Sequence, residues 1–363
     1  MARARRKSTT KSRPDIHAVA RHAKVSIATV SRTINKVPTV DPKLAQRVLK
    51  AIDDLGFSPN TQARSLVSGK SRMLGLIVSE ITNPFFPEIV AVFERIAVEH
   101  GYEILLTSTV HDPKLMASSV RRMIERRVDG VAIMTFGMEE LLLEDLKSRR
   151  VPLVFVDVGP ALPRVSNIRI DYLHGIRQAI QHLAALRHKR IAFISGPLSL
   201  KSAIARRDAF LQSMQEIGLA CDPLLIVEAD HTTEGGMKAS TQLRNVSIQP
   251  TAILCSNDLT AIGVMRKSYE ENCVIPRDLS LVGFDDVRLA QFMSPPLTTV
   301  QMSQTELAKL AFHALLTEVE RQTPTLNGTE YLLRTNLLLR ESTAMAPMLT
   351  SRLRRNSVAR KSS

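Results

Sequence analysis

Two periodicities divide the chain. Between Asp15 and Phe57 apolar residues recur at helical spacing, whereas from Met73 onward short continuous apolar runs alternate with amphipathic stretches. In the first part Ile16, Val19, Ala20 and Ala23 fall on one side of a segment opened by Asp15, and Val30 and Ile34, at i and i+4, share a face of the next. Asp15 and Ser26 are read as N-caps, because a carboxylate or hydroxyl oxygen there accepts from the orphan N–H groups of a helix start. A third helix opens at Asp41-Pro42, a cap followed by an N1 proline. It runs through Leu44, Val48, Leu49 and Ile52 and stops at Gly56. A tight turn near Lys24 makes the first two helices a helix-turn-helix, and the three together can bury one small core. The outer face of the second helix, with Ile27, Ala28, Ser31 and Arg32, is left small, polar and cationic. Spacing alone leaves two readings at equal weight: a helix laid into the major groove of DNA, or an ordinary amphipathic helix that is simply core.

The second part predicts strands at 74–79, 102–107, 130–135 and 152–156, with helices at 88–99, 114–126 and 139–147 between them. The alternation then recurs, with helices at 173–186, 202–217, 234–244 and 259–271 and strands at 191–196, 224–227, 252–255 and 279–284. Such alternation argues for parallel sheets covered by helices on both faces, in two similar lobes. Two facing lobes make a cleft, and in open α/β sheets ligands bind outside the carboxyl ends of the strands.

Charge sharpens the division. Residues 1–72 carry 16 Lys/Arg against 4 Asp/Glu and residues 349–363 carry 5 against none, which leaves the middle slightly acidic in a chain of net charge +14. A basic head on a near-neutral body is the footprint of a polyanion-binding module attached to something else. No run approaches the ~18 apolar residues of a spanning helix and no signal-peptide core follows the basic start, so a membrane partner is not expected and a cytoplasmic, nucleoid-associated protein is. Cys221, Cys255 and Cys273 lack metal-like or CxxC spacing and suit reduced thiols without chemistry. No GxSxG, P-loop, GxGxxG or metal-spaced histidine pair is present, so neither enzyme, metal nor cofactor is expected.

The stretch from Ala20 to Arg32, with Val48 to Gly56 and Ser58-Pro59-Asn60-Thr61-Gln62-Ala63-Arg64-Ser65-Leu66, strongly resembles the lac repressor/galactose repressor family of bacterial transcription regulators. The body carries the resemblance onward at Ser79-Glu80-Ile81-Thr82-Asn83-Pro84-Phe85-Phe86, Ile194-Ser195-Gly196-Pro197, Cys255-Ser256-Asn257-Asp258, Leu281-Val282-Gly283-Phe284-Asp285-Asp286 and Leu339-Arg340-Glu341-Ser342. Lys24 stands at a position the family often gives to Gly, and Asp15 replaces its more usual Thr cap.

The resemblance implies a helix-turn-helix head at 15–57, a hinge helix at 58–70, and a two-lobed effector-binding and dimerisation domain at 71–346 with the fold of periplasmic sugar-binding proteins. The chain then crosses between lobes three times, with one lobe at about 71–160 plus 291–321 and the other at 161–290 plus 322–346. Residues 1–14 and 347–363 read as disordered basic tails. Operator contacts fall to Ile27, Ala28, Thr29, Ser31, Arg32 and Asn35 on the head, and to Asn60, Ala63 and a minor-groove wedge, Leu66, on the hinge. On composition alone that hinge is equally a flexible linker. Effector contacts fall to Phe85 and Phe86 on one side and to Arg206, Asn257 and Asp285 on the other, with Asp171 and His231 as secondary candidates. Apart from the resemblance, Phe85 and Phe86 read as core and Arg206 as a surface charge beside Arg207. The expected partners are double-stranded operator DNA, a small molecule that is a sugar or its derivative (a purine co-repressor being the alternative), and a second copy of the chain. A two-lobed solute receptor would share the body but have no use for the head.

Overall fold

A computed structural model of the chain describes residues 14–34, 37–57, 70–110, 112–135, 151–157, 163–321 and 328–347. The expected hinge at 58–70 apart from Lys70, the expected tails apart from Pro14 and Pro347, and the helix at 139–147 lie outside the described residues. The chain divides into two compact units, 1–71 and 72–363.

In the first unit α1 (Ile16–Ala23), α2 (Ile27–Ile34) and α3 (Pro42–Leu55) form where the spacing placed them. Local chemistry explains each end. Asp15 accepts from the Ala18 amide at 2.8 Å, Ser26 from the Thr29 amide at 3.1 Å, and Asp41 from the Lys43 and Leu44 amides at 2.9 and 3.1 Å. Gly56 closes α3 in the left-handed region, where the absence of a Cβ removes the steric cost. Lys24 closes α1 at φ 52°, a conformation that costs an L-residue about 1–2 kcal/mol. Arg47 offsets that strain from α3, its guanidinium donating to the carbonyls of Ala23 at 2.6 Å and Lys24 at 3.3 Å. Val19, Ala20, Ala23, Val30, Val48 and Ala51 form the core, whereas Leu49, expected on the buried stripe, is 55% exposed.

The second unit holds two six-stranded sheets. The first runs in the order β11-β5-β4-β3-β1-β2, made of β1 (Met73–Val78), β2 (Glu103–Ser108), β3 (Gly130–Met134), β4 (Leu153–Val156), β5 (Val165–Asp171) and β11 (Glu330–Arg334), all parallel. The second runs β12-β10-β9-β8-β6-β7, made of β6 (Ile191–Ser195), β7 (Ile226–Glu228), β8 (Ala252–Cys255), β9 (Ser280–Asp285), β10 (Thr298–Gln301) and β12 (Asn336–Leu338), with only β12 antiparallel. Helices α4 (Phe85–Glu99) and α5 (Pro113–Glu125) belong to the first lobe, and α6 (Tyr172–Ala185), α7 (Lys201–Glu216), α8 (Thr233–Arg244) and α9 (Asp258–Glu270) to the second. The last helix, α10 (Gln304–Glu320), packs back on α4 and β3 as expected.

Strand pairing moves the lobe limits, however. β5 pairs with β4, so the first lobe continues to Asp171; β10 pairs with β9, so residues 298–301 belong to the second lobe; and β11 pairs with β5, which splits the expected second-lobe return. The crossings therefore fall at Asp171–Tyr172, between Gln301 and Gln304, and at Thr335. Buried Thr335 ties two of them together, its hydroxyl donating to the Asp171 carbonyl at 2.7 Å and accepting from the Gly175 amide at 3.1 Å.

Candidate functional site

Strand order reverses between β1 and β3 in the first sheet and between β6 and β8 in the second, and a ligand crevice is expected at such switch points. A cavity of about 330 Å3 lies there, lined from the first lobe by Ser79, Glu80, Thr82, Asn83, Phe85 and Phe86, and from the second by Arg206, His231, Asn257 and Asp285 with the segment 230–234. On the first side the chain leaves β1, turns, and enters α4 with the Asn83 side chain accepting from the Phe85 amide at 3.0 Å. Phe85 and Phe86 meet edge to face at 5.3 Å and are 2% and 4% exposed, so they wall the cavity while packing into the core.

Arg206 is 4% exposed, unlike its half-buried neighbour Arg207, which pairs with Asp208. A buried guanidinium stays charged and must be compensated from within the protein. One Nη donates to the Ser256 carbonyl and the other stands 3.7 Å from the Asp285 carboxylate. The plane lies over the Phe284 ring at 4.2 Å and the Tyr172 ring at 5.2 Å, contacts that are each worth about 0.5–2 kcal/mol where water is excluded. Burial raises the Asp285 pKa to about 7, against the lowering effect of Arg206. Behind it Asp258 is fully buried, and desolvation raises its pKa well above the usual range even though it accepts from the Val287 amide and the Thr299 hydroxyl.

Asn257 has another task. Its carbonyl oxygen caps α9 by accepting from the Thr260 amide at 2.9 Å, and its amide donates to the His231 carbonyl at 3.0 Å. It therefore holds the loop that bears His231, which sits at φ 65° with its ring against Gly196, where any Cβ would overlap it. Asp171 does not join this group. Its carboxylate caps α6 through the His174 amide at 3.0 Å, and it borders a separate surface groove.

On the helical head, Ile27 is 42% exposed and Ala28 and Arg32 are exposed beside it, while Thr29 and Ser31 are partly covered. Thr29 shares a hydrogen bond of 2.9 Å with the Ser26 hydroxyl. His17, Arg21 and Lys24 border the groove between α1 and α2 and add basic character to that surface. Asn35, Asn60, Ala63 and Leu66 lie outside the described residues.

Residues 15–60 match the family described as bacterial regulatory proteins, lacI family, and residues 180–343 match the periplasmic binding protein-like domain. The HTH-type transcriptional repressor PurR of Glaesserella parasuis serovar 5 is 34% identical over 303 residues, covering 84% of this chain and 89% of that one. The chain belongs to the lacI family of bacterial regulatory proteins. The ribose operon repressor of Escherichia coli K12 is 33% identical, covering 84% of this chain and 93% of its own. A lac repressor dimer solved with operator and the anti-inducer ONPF superposes with a TM-score of 0.82 at 28% identity, covering 92% of this chain and all of that one. Members of the lacI family are DNA-binding transcription regulators rather than enzymes, with a helix-turn-helix head and a two-lobed effector domain.

Six of the seven candidate effector residues thus converge, and Asp171 does not. Sequence reasoning missed Ser79, Ser202, Asp230, Thr232 and Glu234, all of which line the cavity. A signal was available, since most follow the carboxyl end of a strand. It also missed Tyr172, whose hydroxyl donates to Asp157 at 2.7 Å beneath Arg206.

Proposed function

We propose that this lacI-family protein is a homodimeric repressor that reads a pseudo-palindromic operator through Ile27, Ala28 and Arg32. A sugar or sugar derivative held between the lobes sets its operator affinity. Its place of action is the bacterial chromosome in the cytoplasm. The buried Arg206–Asp285 pair, facing a cavity between two lobes, supports this reading best. A planar donor and a carboxylate acceptor can fix ring hydroxyls, and a ligand touching both lobes has differential affinity for their open and closed arrangements. A purine is less well supported, because Phe85 and Phe86 expose too little of their faces to stack a base.

The test is a thermal-shift screen of sugars, followed by operator binding with each hit. A ligand at 100 times its dissociation constant stabilises the native state by about 2.7 kcal/mol, a readily measured rise. Arg206→Ala should keep operator binding and lose the response to that hit. A variant that responds at wild-type ligand concentrations would place the effector elsewhere.

A further inference from the structure

The cavity carries a charge imbalance that its binding chemistry does not require. Glu80, Asp230, Glu234 and Asp285 line it, against Arg206 and His231. The charge of Arg206 is partly compensated before a ligand arrives, by the Ser256 carbonyl, by Asp285 at 3.7 Å and by two aromatic rings. The remaining carboxylates sit toward solvent: Asp230 and Glu234 are exposed and Glu80 is half-buried. Asp230 is held ionised, since the Thr232 hydroxyl and amide both donate to it and keep its pKa below the ordinary range, with Lys238 helping from outside the cavity wall. Glu80 accepts from the Thr82 hydroxyl across its own turn. A second observation points to a ligand here. Ser79 is 1% exposed, lines the same cavity, and its Oγ has no hydrogen-bond partner among the described residues. A buried hydroxyl left in that condition is a donor and acceptor waiting for a polar group.

We infer that the cleft selects a polyhydroxylated ligand bearing a protonated amine and excludes anionic ones such as sugar phosphates, with Glu80 and the 230–234 turn supplying the charge and Ser79 a hydroxyl contact. This rests on reading the cleft as a sugar-binding effector site. In a partly water-excluded pocket, carboxylates favour a nearby ammonium and oppose a phosphate, and salt weakens both effects.

The experiment is calorimetry on the full-length protein with matched series in the gluco, galacto and manno configurations: the hexose, its 2-amino-2-deoxy form and its 6-phosphate. The expected order within the series that binds is amine, then neutral sugar, then phosphate. The amine should lead by on the order of tenfold at low ionic strength, and the lead should shrink as salt rises. Glu80→Gln combined with Glu234→Gln should remove most of that lead, read as the ratio of amino-sugar to neutral-sugar affinity within the variant. Ser79→Ala should weaken neutral and amino sugars alike. A phosphate that binds as tightly as its neutral parent, or an amine preference unchanged in the double variant, overturns the charge selection alone. Failure of every hexose to bind, neutral ones included, overturns the sugar reading and this inference with it.

Discussion

Asp285 shows how far burial can move one side chain. The residue is 5% exposed and its carboxyl faces a fixed cation, yet its pKa is raised to about 7, because desolvation outweighs Arg206 at 3.7 Å. The consequence for stability follows from linkage. The folded state holds this proton more tightly than the unfolded chain, whose carboxyl titrates near the ordinary 3.8. Its contribution is therefore fully present below that ordinary value, and is lost as pH rises through about 7. Asp285→Asn should flatten that part of the profile. Melting temperatures of wild type and variant between pH 4 and 8 should converge at the acid end, where the wild-type carboxyl is neutral like the amide, and separate toward pH 8, where only the wild type carries the buried charge. A wild-type slope reproduced in full by the variant would assign the pH dependence to Asp258, which burial also shifts upward.

At the scale of elements, α2 is a helix whose two faces do different work. Val30 and Thr33 are buried, Ile34 packs on the same core, and the Arg47 clamp holds the preceding turn, so Ile27, Ala28 and Arg32 are presented on a rigid support. Arg32→Ala should cost about 1–3 kcal/mol of operator binding and relax selection at one position in each half-site, as expected for an arginine reading guanine O6 and N7. Binding measured on a panel of operator variants decides this, because uniform weakening on every sequence would make Arg32 a phosphate contact. The head was legible in the sequence because caps and apolar stripes are local signals: Asp15, Ser26, Asp41 and Gly56 each act within four residues of themselves. The lobe limits were less legible, because β5 was not among the predicted strands and β11 takes its lobe from β5, far away in the chain. Asp171 misled for a related reason. The resemblance made it a secondary effector candidate, yet it sits where the chain changes lobes and its carboxylate is used by the helix it starts. Arg206 was ambiguous by composition, since nothing local distinguishes it from Arg207, and only the packing of Tyr172 from one segment and of Phe284 and Asp285 from another makes it the buried one.

At the scale of the molecule the question is what covers the exposed edge of the first sheet. Among the described residues β2 is an edge strand whose Leu106 is 37% exposed, and Val98 near the end of α4 and Val110 just past the strand are 64% and 56% exposed. A second apolar site lies on the other lobe, where Leu289 and Phe292 in the turn Arg288–Phe292 are 50% and 68% exposed. Uncovered apolar side chains on an unpaired edge invite association, and a two-fold interface covers the same patch on both copies at once. A charge placed in such a patch is therefore introduced twice and faces its own symmetry mate. Leu106→Lys with Val98→Lys should convert the dimer to monomer in sedimentation velocity while leaving effector binding in the cleft intact, since neither residue lines the cavity. Operator affinity should fall by about 100-fold or more, because the second head then has to find its half-site as a separate molecule rather than at the high effective concentration of a linked one. The salt dependence should fall with it. Each neutralised phosphate contributes about 0.9 to the slope of log K against log salt, so one head in place of two should roughly halve the slope. A variant that stays dimeric and keeps the full slope would move the interface off β2, leaving the face around Phe292 as the contact to test next.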